Sequence, residues 1–372
     1  MNIPADRRRH PAVLPMALFE PILPARYLVP LFDVVAQMRE SDRRKSPALA
    51  MLDRVDAASS TAVLPLEQVE SLLEAISQLT GRQDLGFEIG RRLTLDHHGA
   101  LAVWMRRCTS IDQLLRLHVR YSRLITPVLS FDYRRRGGTG TGEYSCAPNA
   151  AMSGATMRVL LEAFAVATHV ILRSLVGSDL EPYDLHISIA APPHASRYDE
   201  LYPARVHFGE GSLPRAWIVL PVKRLDQPLK VLTHLDPLMS PRELDALQGD
   251  IEQTRQWSGW IRMMLREAEG CQPTAEELTE LLGIDTHSLA RTLAKEGLSF
   301  REMAKQVRHE KACELLRDPT QPITQVAYRL GYSDSANFSR AFHAVGGVSP
   351  RAYRQAWFAR RVAKERPVGR AT

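Results

Sequence analysis

The 372-residue chain has only four cysteines, Cys108, Cys146, Cys271 and Cys313, and no two of them form a C-x-x-C pair. That spacing supplies neither a zinc motif nor a redox dithiol, so the four read as reduced, packed thiols of a cytoplasmic protein. An unbroken apolar leader is also missing. The apolar stretch after Arg7, Arg8 and Arg9 is interrupted by Pro15, Glu20, Pro21, Pro24, Arg26 and Pro30. This excludes a secretory signal core, and no segment is expected to span a membrane. Catalytic signatures are equally scarce: there is no G-x-G-x-x-G, no G-x-S-x-G and no cysteine in a nucleophile motif. Gly137 to Gly142 is glycine-rich, but neither Lys-Ser/Thr nor a helix follows it, so it reads as a hairpin turn. The adjacent His97 and His98 would point to different sides of any regular element and do not suggest one ion. The expectation is therefore a non-enzyme with no cofactor and no metal.

What is present is an ordinary globular composition, 45% hydrophobic and 24% charged, with net charge +6. The length suggests two domains. Residues 261–372 hold 18 Lys+Arg against 13 Asp+Glu, a balance of +5, so nearly all of the excess lies in the last third. Helical periodicity appears over 66–79, 111–125 and 154–175. Alternating runs flank Gly137 to Gly142, and strand-like runs recur at 184–190, 205–209 and 216–221. Helices plus antiparallel strands predict an α+β domain over 25–236, preceded by a flexible arm, 1–24, and followed by a linker, 237–256. From residue 257 everything reads helical, ending in a basic tail, 356–372.

Two segments of that helical region, "TAEELTELLGIDTHSLARTLAKEG" and "PITQVAYRLGYSDSANFSRAFHAVGG", share one plan. Each has a short amphipathic helix, a Leu-Gly step (Leu282-Gly283, Leu330-Gly331), a polar start and a second helix with an arginine near its middle. Glycine after the first helix permits the left-handed conformation that turns the chain sharply. Asp285 or Thr286, and Ser333 or Asp334, can cap the helices that follow. In helix 334–345, Phe338, Ala341, Phe342 and Val345 recur at core spacing. The opposite side carries Ser335, Ala336, Asn337, Ser339 and Arg340. Small groups let a helix approach base edges, Arg340 can fork to guanine, and Asn337 can pair with adenine. In helix 286–296, Leu289 and Leu293 face inward, His287, Ser288 and Arg291 face outward, and Lys295 can meet a phosphate.

Ser299-Phe300-Arg301-Glu302 reads as a capping box opening a helix that runs to about Arg317. Some 19 residues at ~1.5 Å each give ~28 Å, close to the ~34 Å between successive major grooves on one face of DNA. This predicts two helix-turn-helix units joined by a linker helix, with both reading helices in adjacent grooves. Arg351 and Arg354, in the basic end just beyond, are placed to contact the DNA backbone.

The stretch "PITQVAYRLGYSDSANFSRAFHAVGGVSPRAYR" resembles the C-terminal signature of the AraC/XylS family of bacterial transcription regulators. Ala327, Gly331, Tyr332, Phe338, Arg340, Phe342, Gly347, Ser349, Pro350 and Tyr353 stand where that motif expects them. The resemblance implies a double helix-turn-helix domain over 257–355. His309 stands where the family usually has Leu, His343 where it has Lys or Arg, and Ala290 and Thr292 where longer polar residues are common. "LPLEQVESLLEAISQLTGRQDLGFEIGRRL" and "YPARVHFGEGSLPRAWIVLP" resemble the arabinose-binding-like effector domain of one branch, which includes regulators of ornithine use.

That resemblance implies promoter DNA as partner, a small-molecule effector, a homodimer, RNA polymerase as the partner of an activator, and no membrane. The alternative is a ligand-independent DNA-binding regulator controlled by a protein partner or by abundance. Trp104, His118, Tyr121, Phe164 and His169 place aromatic or polar groups on apolar helices, as a small-ligand pocket needs. Taken singly, each also reads as a core residue with a satisfied polar tip.

Overall fold

The computed structural model describes residues 22–36, 46, 47, 49, 63–98, 100–124, 126–229, 257–268, 272–282 and 285–365. The expected linker 237–256, Cys271, Gly283 and the arm up to residue 21 lie outside the described residues. Strand β1 (Ile22–Pro24) pairs antiparallel with β2 (Val63–Pro65). Ile22 and Leu23 are buried, so the end of the expected flexible arm is ordered strand, held by apolar burial. Helices α1 (Pro30–Ala36), α2 (Leu66–Thr80), α3 (Leu85–Gly90), α4 (Ala100–Arg106) and α5 (Ile111–Tyr121) follow. Helix α2 buries Leu66, Val69, Leu72, Leu73 and Ile76, the face that its periodicity predicts. Helix α5 is capped by Ser110, which accepts from the Gln113 amide at 3.1 Å. It stops at Tyr121, short of the expected residue 125, and a 3₁₀ turn takes over at Ser122–Leu124.

The glycine-rich segment is a hairpin turn between β3 (Leu129–Arg136) and β4 (Thr141–Pro148). Helix α6 (Gly154–Val176) comes next, then β5 (Tyr183–Ile187), β6 (Ala204–Phe208), β7 (Ala216–Pro221) and the short α7 (Val222–Leu225). The five strands lie in the order β3-β4-β7-β5-β6. All pairs are antiparallel except β5 and β6, which run parallel. The α+β domain is thus built mainly of antiparallel pairs, as expected, with one parallel pair added. The chain between β5 and β6 carries a 3₁₀ helix, Ala195–Leu201, that serves as the crossover a parallel pair requires.

Helix α6, with its 3₁₀ extension to Asp179, is long and apolar enough to cross a membrane by length and composition, contrary to expectation. Here that apolar length is packed inside the fold: Leu161, Ala165 and Val166 are fully buried. Helix α3 lies against it at backbone distance. A Cβ on Gly86 would sit 2.5 Å from the Val159 carbonyl, and one on Gly90 would sit 2.7 Å from that of Ala163.

The C-terminal region comprises α8 (Trp257–Glu267), α9 (Ala275–Leu282), α10 (Thr286–Lys295), α11 (Phe300–Leu316), α12 (Ile323–Arg329), α13 (Ser335–Gly346) and α14 (Pro350–Glu365). Residues 356–365, expected in a tail, continue α14. Two cores divide this region. Trp260, Leu278, Leu289, Leu293, Met303 and Val307 belong to the same apolar cluster as the N-terminal domain. A separate cluster holds Ala312, Leu316, Val326, Ala327, Leu330, Phe338 and Phe342.

Candidate nucleic-acid interface and effector cavity

Helix α13 starts at Asp334, whose carboxylate accepts the Asn337 amide at 2.7 Å. Its preceding turn is made by Gly331 at φ 78°, as the Leu-Gly step predicts. Phe338 and Phe342 are buried, but Val345 at the helix end is exposed, so the apolar face is one turn shorter than its spacing suggests. Opposite that face, Ala336, Asn337 and Arg340 are exposed, while Ser335 and Ser339 are half-buried. The Arg340 guanidinium donates to Asn337 Oδ1 at 2.5 Å, and Asn337 Nδ2 donates to Asp334 Oδ2 at 2.5 Å. These polar groups hold one another on an open surface. Ser339 Oγ instead donates back to the Ser335 carbonyl at 2.8 Å, so that hydroxyl proton is already engaged.

In the first unit, Asp285 caps α10 by accepting both the Ser288 amide, at 2.8 Å, and its hydroxyl, at 2.7 Å. Leu289 and Leu293 are buried, and His287, Arg291 and Lys295 are exposed. The connecting helix α11 spans 17 residues, about 26 Å at ~1.5 Å per residue. Ser299 accepts the Glu302 amide at 3.2 Å, but the Glu302 side chain takes Lys305 at 2.9 Å rather than reaching back. Only half of the expected capping box forms, because a nearby ammonium outcompetes a backbone amide for the carboxylate.

Arg351 and Arg354 part company. Arg351 is exposed on the first turn of α14. Arg354 turns inward: its Nε donates to the Leu316 carbonyl at 3.1 Å and its Nη2 to the Gln321 carbonyl at 2.8 Å. It satisfies the C-terminal end of α11, whose last carbonyls have no helical partner. His309, the departure from Leu, lies against the Phe342 ring at 4.4 Å between centroids and occupies the space beside Gly346, where a Cβ would meet it at 2.5 Å.

A cavity of about 100 Å³ lies in the N-terminal domain between α4, α5, α6 and the β3–β4 hairpin. Of the five side chains proposed for a pocket, His118 and Phe164 line it; Trp104, Tyr121 and His169 do not. Tyr121 is core, and His169 is tied to the Tyr183 hydroxyl at 2.9 Å. The sequence missed Tyr27, His98, Phe131 and Tyr144, which complete the wall. Tyr27 Oη meets His98 Nδ1 at 2.9 Å, and Tyr144 Oη meets His118 Nδ1 at 2.8 Å. Burial pushes His118 down to about 4, and burial followed by the neighbouring His118 pushes His98 well below the usual imidazole range. Among the described residues, no carboxylate, lysine or arginine lines the cavity.

The same hairpin reaches the first reading unit. Arg134 on β3 pairs with Glu280 on α9 at 2.5 Å. Trp260 on α8 donates its indole N–H to the carbonyl of Pro148, at the end of β4, at 2.6 Å. Helix α8 in turn joins α11 through Arg262–Glu310 and Arg266–Glu314.

Paired helix-turn-helix units with exposed polar reading faces define a DNA-binding transcription regulator. Residues 278–356 match the helix-turn-helix family, and residues 42–229 match the arabinose-binding N-terminal domain of AraC transcription regulators. The chain belongs to the AraC family. It is 24% identical to the ornithine utilization regulator of Pseudomonas aeruginosa, over 92% of this chain and 99% of that one. It is 49% identical to the transcriptional activator RhaR of Pectobacterium atrosepticum, over 16% of this chain and 21% of that one. The crystal structure of the transcriptional regulator CdpR from Pseudomonas aeruginosa matches at a TM-score of 0.39 and 20% identity, covering 85% of this chain and 97% of that one.

Proposed function

We propose that this regulator is a cytoplasmic, effector-responsive activator that works as a homodimer on promoter DNA with RNA polymerase, and has no catalytic role. In this reading α10 and α13 enter adjacent major grooves, and His287, Arg291, Lys295, Asn337, Arg340 and Arg351 make the contacts. The observation that carries it is the exposed Ala336, Asn337 and Arg340 face of α13, backed by buried Phe338 and Phe342. Short side chains around one arginine suit a groove better than a merely solvated surface.

The effector in this reading is small, uncharged and mainly apolar. An amino acid such as the ornithine of one relative's name would find no charged partner among the described residues of the cavity wall. Filling the cavity would bear on Phe131 and Tyr144, which belong to the hairpin that touches α8 and α9. That contact offers a route from effector to the first reading unit.

Selection of binding sites from random duplex DNA tests the groove reading. Selected sites should contain two elements about 10–10.5 base pairs apart per protomer; a single element would refute it. A thermal-shift screen tests the effector: apolar compounds should raise the melting temperature and charged amino acids should not. Operator binding unmoved by every compound would favour control by a protein partner or by abundance.

A further inference from the structure

Strands β5 and β6 run in parallel register with His186 opposite His207. Tyr183, Leu185 and Ile187 point into the core, which sends Asp184 and His186 to the other face of the sheet. There the His186 ring stacks on His207, with centroids 4.6 Å apart, and on Trp217, at 4.7 Å. Just past β6, Gly209 at φ 72° and Gly211 at φ 86° curl the chain so that Glu210 folds back over both histidines. Its Oε2 lies 2.7 Å from His186 Nδ1, and its Oε1 lies 3.8 Å from His207 Nδ1. The three ligand atoms all fall within 4.8 Å of one another.

We infer that His186, His207 and Glu210 form a binding site for a first-row divalent transition metal ion of the zinc class. Zinc bonds of about 2.0–2.2 Å in tetrahedral geometry separate two donors by about 3.3–3.5 Å, so an ion would draw the Glu210 carboxylate slightly away from His186, now 2.7 Å off through Oε2, and towards His207, 3.8 Å off through Oε1. Two imidazoles and one carboxylate favour zinc, nickel or copper over calcium and magnesium. The outer partner of His207 also supports the assignment. Its Nε2 faces Asp184 Oδ1 at 3.0 Å, and Asp184 is itself gripped by two hydrogen bonds from Arg205, each 2.8 Å. A carboxylate on the far nitrogen draws the ring proton there and leaves the Nδ1 lone pair facing the cluster, the outer-shell arrangement that holds metal-binding histidines. An ordinary ion pair would engage one imidazole; here one carboxylate faces the ring nitrogens of two. Three protein ligands leave a fourth position for water or an outside donor. A bound ion would fasten the turn after β6 to β5.

The test uses the full chain with any affinity tag removed. Zn²⁺ titration should show one ion bound per chain at micromolar concentration. Co²⁺ should give the visible absorption of a tetrahedral nitrogen and oxygen site, which Zn²⁺ bleaches. His207→Ala and Glu210→Gln should each abolish binding, and Asp184→Asn should weaken it roughly 10- to 100-fold. Glu210 lies in a turn, so Glu210→Gln tests the site without threatening the sheet. Binding that survives both His207→Ala and Glu210→Gln would place the ion elsewhere and overturn the assignment. No saturable binding of Zn²⁺, Co²⁺ or Ni²⁺ up to about a millimolar would overturn it as well, being far weaker than three such ligands supply.

Discussion

Replacing Arg354 by alanine separates a structural arginine from a DNA-contacting one. The side chain forks to the carbonyls of Leu316 and Gln321, so truncation leaves two carbonyls at the junction of α11 and α12 without a donor. A hydrogen bond from a charged donor contributes about 1.5–3 kcal/mol, and water can partly replace it at this half-buried site, so the net loss should be about 2–3 kcal/mol. Since each 1.4 kcal/mol is tenfold, amides of α12 and α13 should exchange with deuterium about 30- to 150-fold faster by mass spectrometry. Those of the N-terminal domain should be unchanged, because the affected core is separate. Arg354→Lys should recover little, since an ammonium lacks the planar fork. The slope of log affinity against log salt should stay the same for Arg354→Ala but fall by about 0.9 for Arg351→Ala. Unchanged exchange together with a reduced slope for Arg354→Ala would refute the reasoning and return this residue to the DNA backbone.

Four further outcomes are expected. Arg340→Ala should cost about 1–3 kcal/mol on a selected site and relax preference at one base position, read by fluorescence anisotropy; equal losses on selected and random DNA would reduce it to a phosphate contact. Gly86→Ala should destabilise the N-terminal domain by about 1–3 kcal/mol in urea, because its Cβ meets the Val159 carbonyl. Burial holds His118 at about 4, and burial followed by Arg173 holds His169 at about 4, against the usual 6.5. Stability should be full above pH 6.5 and shed as pH falls towards 4, where the unfolded imidazoles take protons that the folded ones refuse; His169→Phe should flatten the melting-temperature profile over that interval. Arg134→Ala should leave DNA affinity intact but weaken the effect of any cavity ligand on it, and an undiminished effect would break the proposed route through Glu280.

The reading helices were legible because everything that makes them is local. Caps at Asp285 and Asp334, a left-handed Gly331 and apolar residues three and four apart all act within one or two turns. The parallel pairing of β5 with β6 was not legible, since strand direction depends on where a crossover returns the chain. The cavity wall escaped for a similar reason: Tyr27 and His98 meet across 71 positions of sequence, and no periodicity reports that. The bonds of Arg354 to two carbonyls were not legible, because a basic residue beside a reading helix has the same sequence signature whether it faces phosphate or a carbonyl. His186 and His207 sat in recognisable strand runs, but only their register brings them side by side.

The division of the interior into two apolar clusters bears on how such a regulator can be re-engineered. The distal module, from Ala312 onward, carries its own packing and hangs from the far end of one rod. Grafting that module from a cousin should swap half of the recognised sequence while leaving chemical sensing intact. The proximal module offers no such seam: Leu289, Leu293 and Trp260 are continuous with the sensor's own interior, so exchanging it would tear the molecule open.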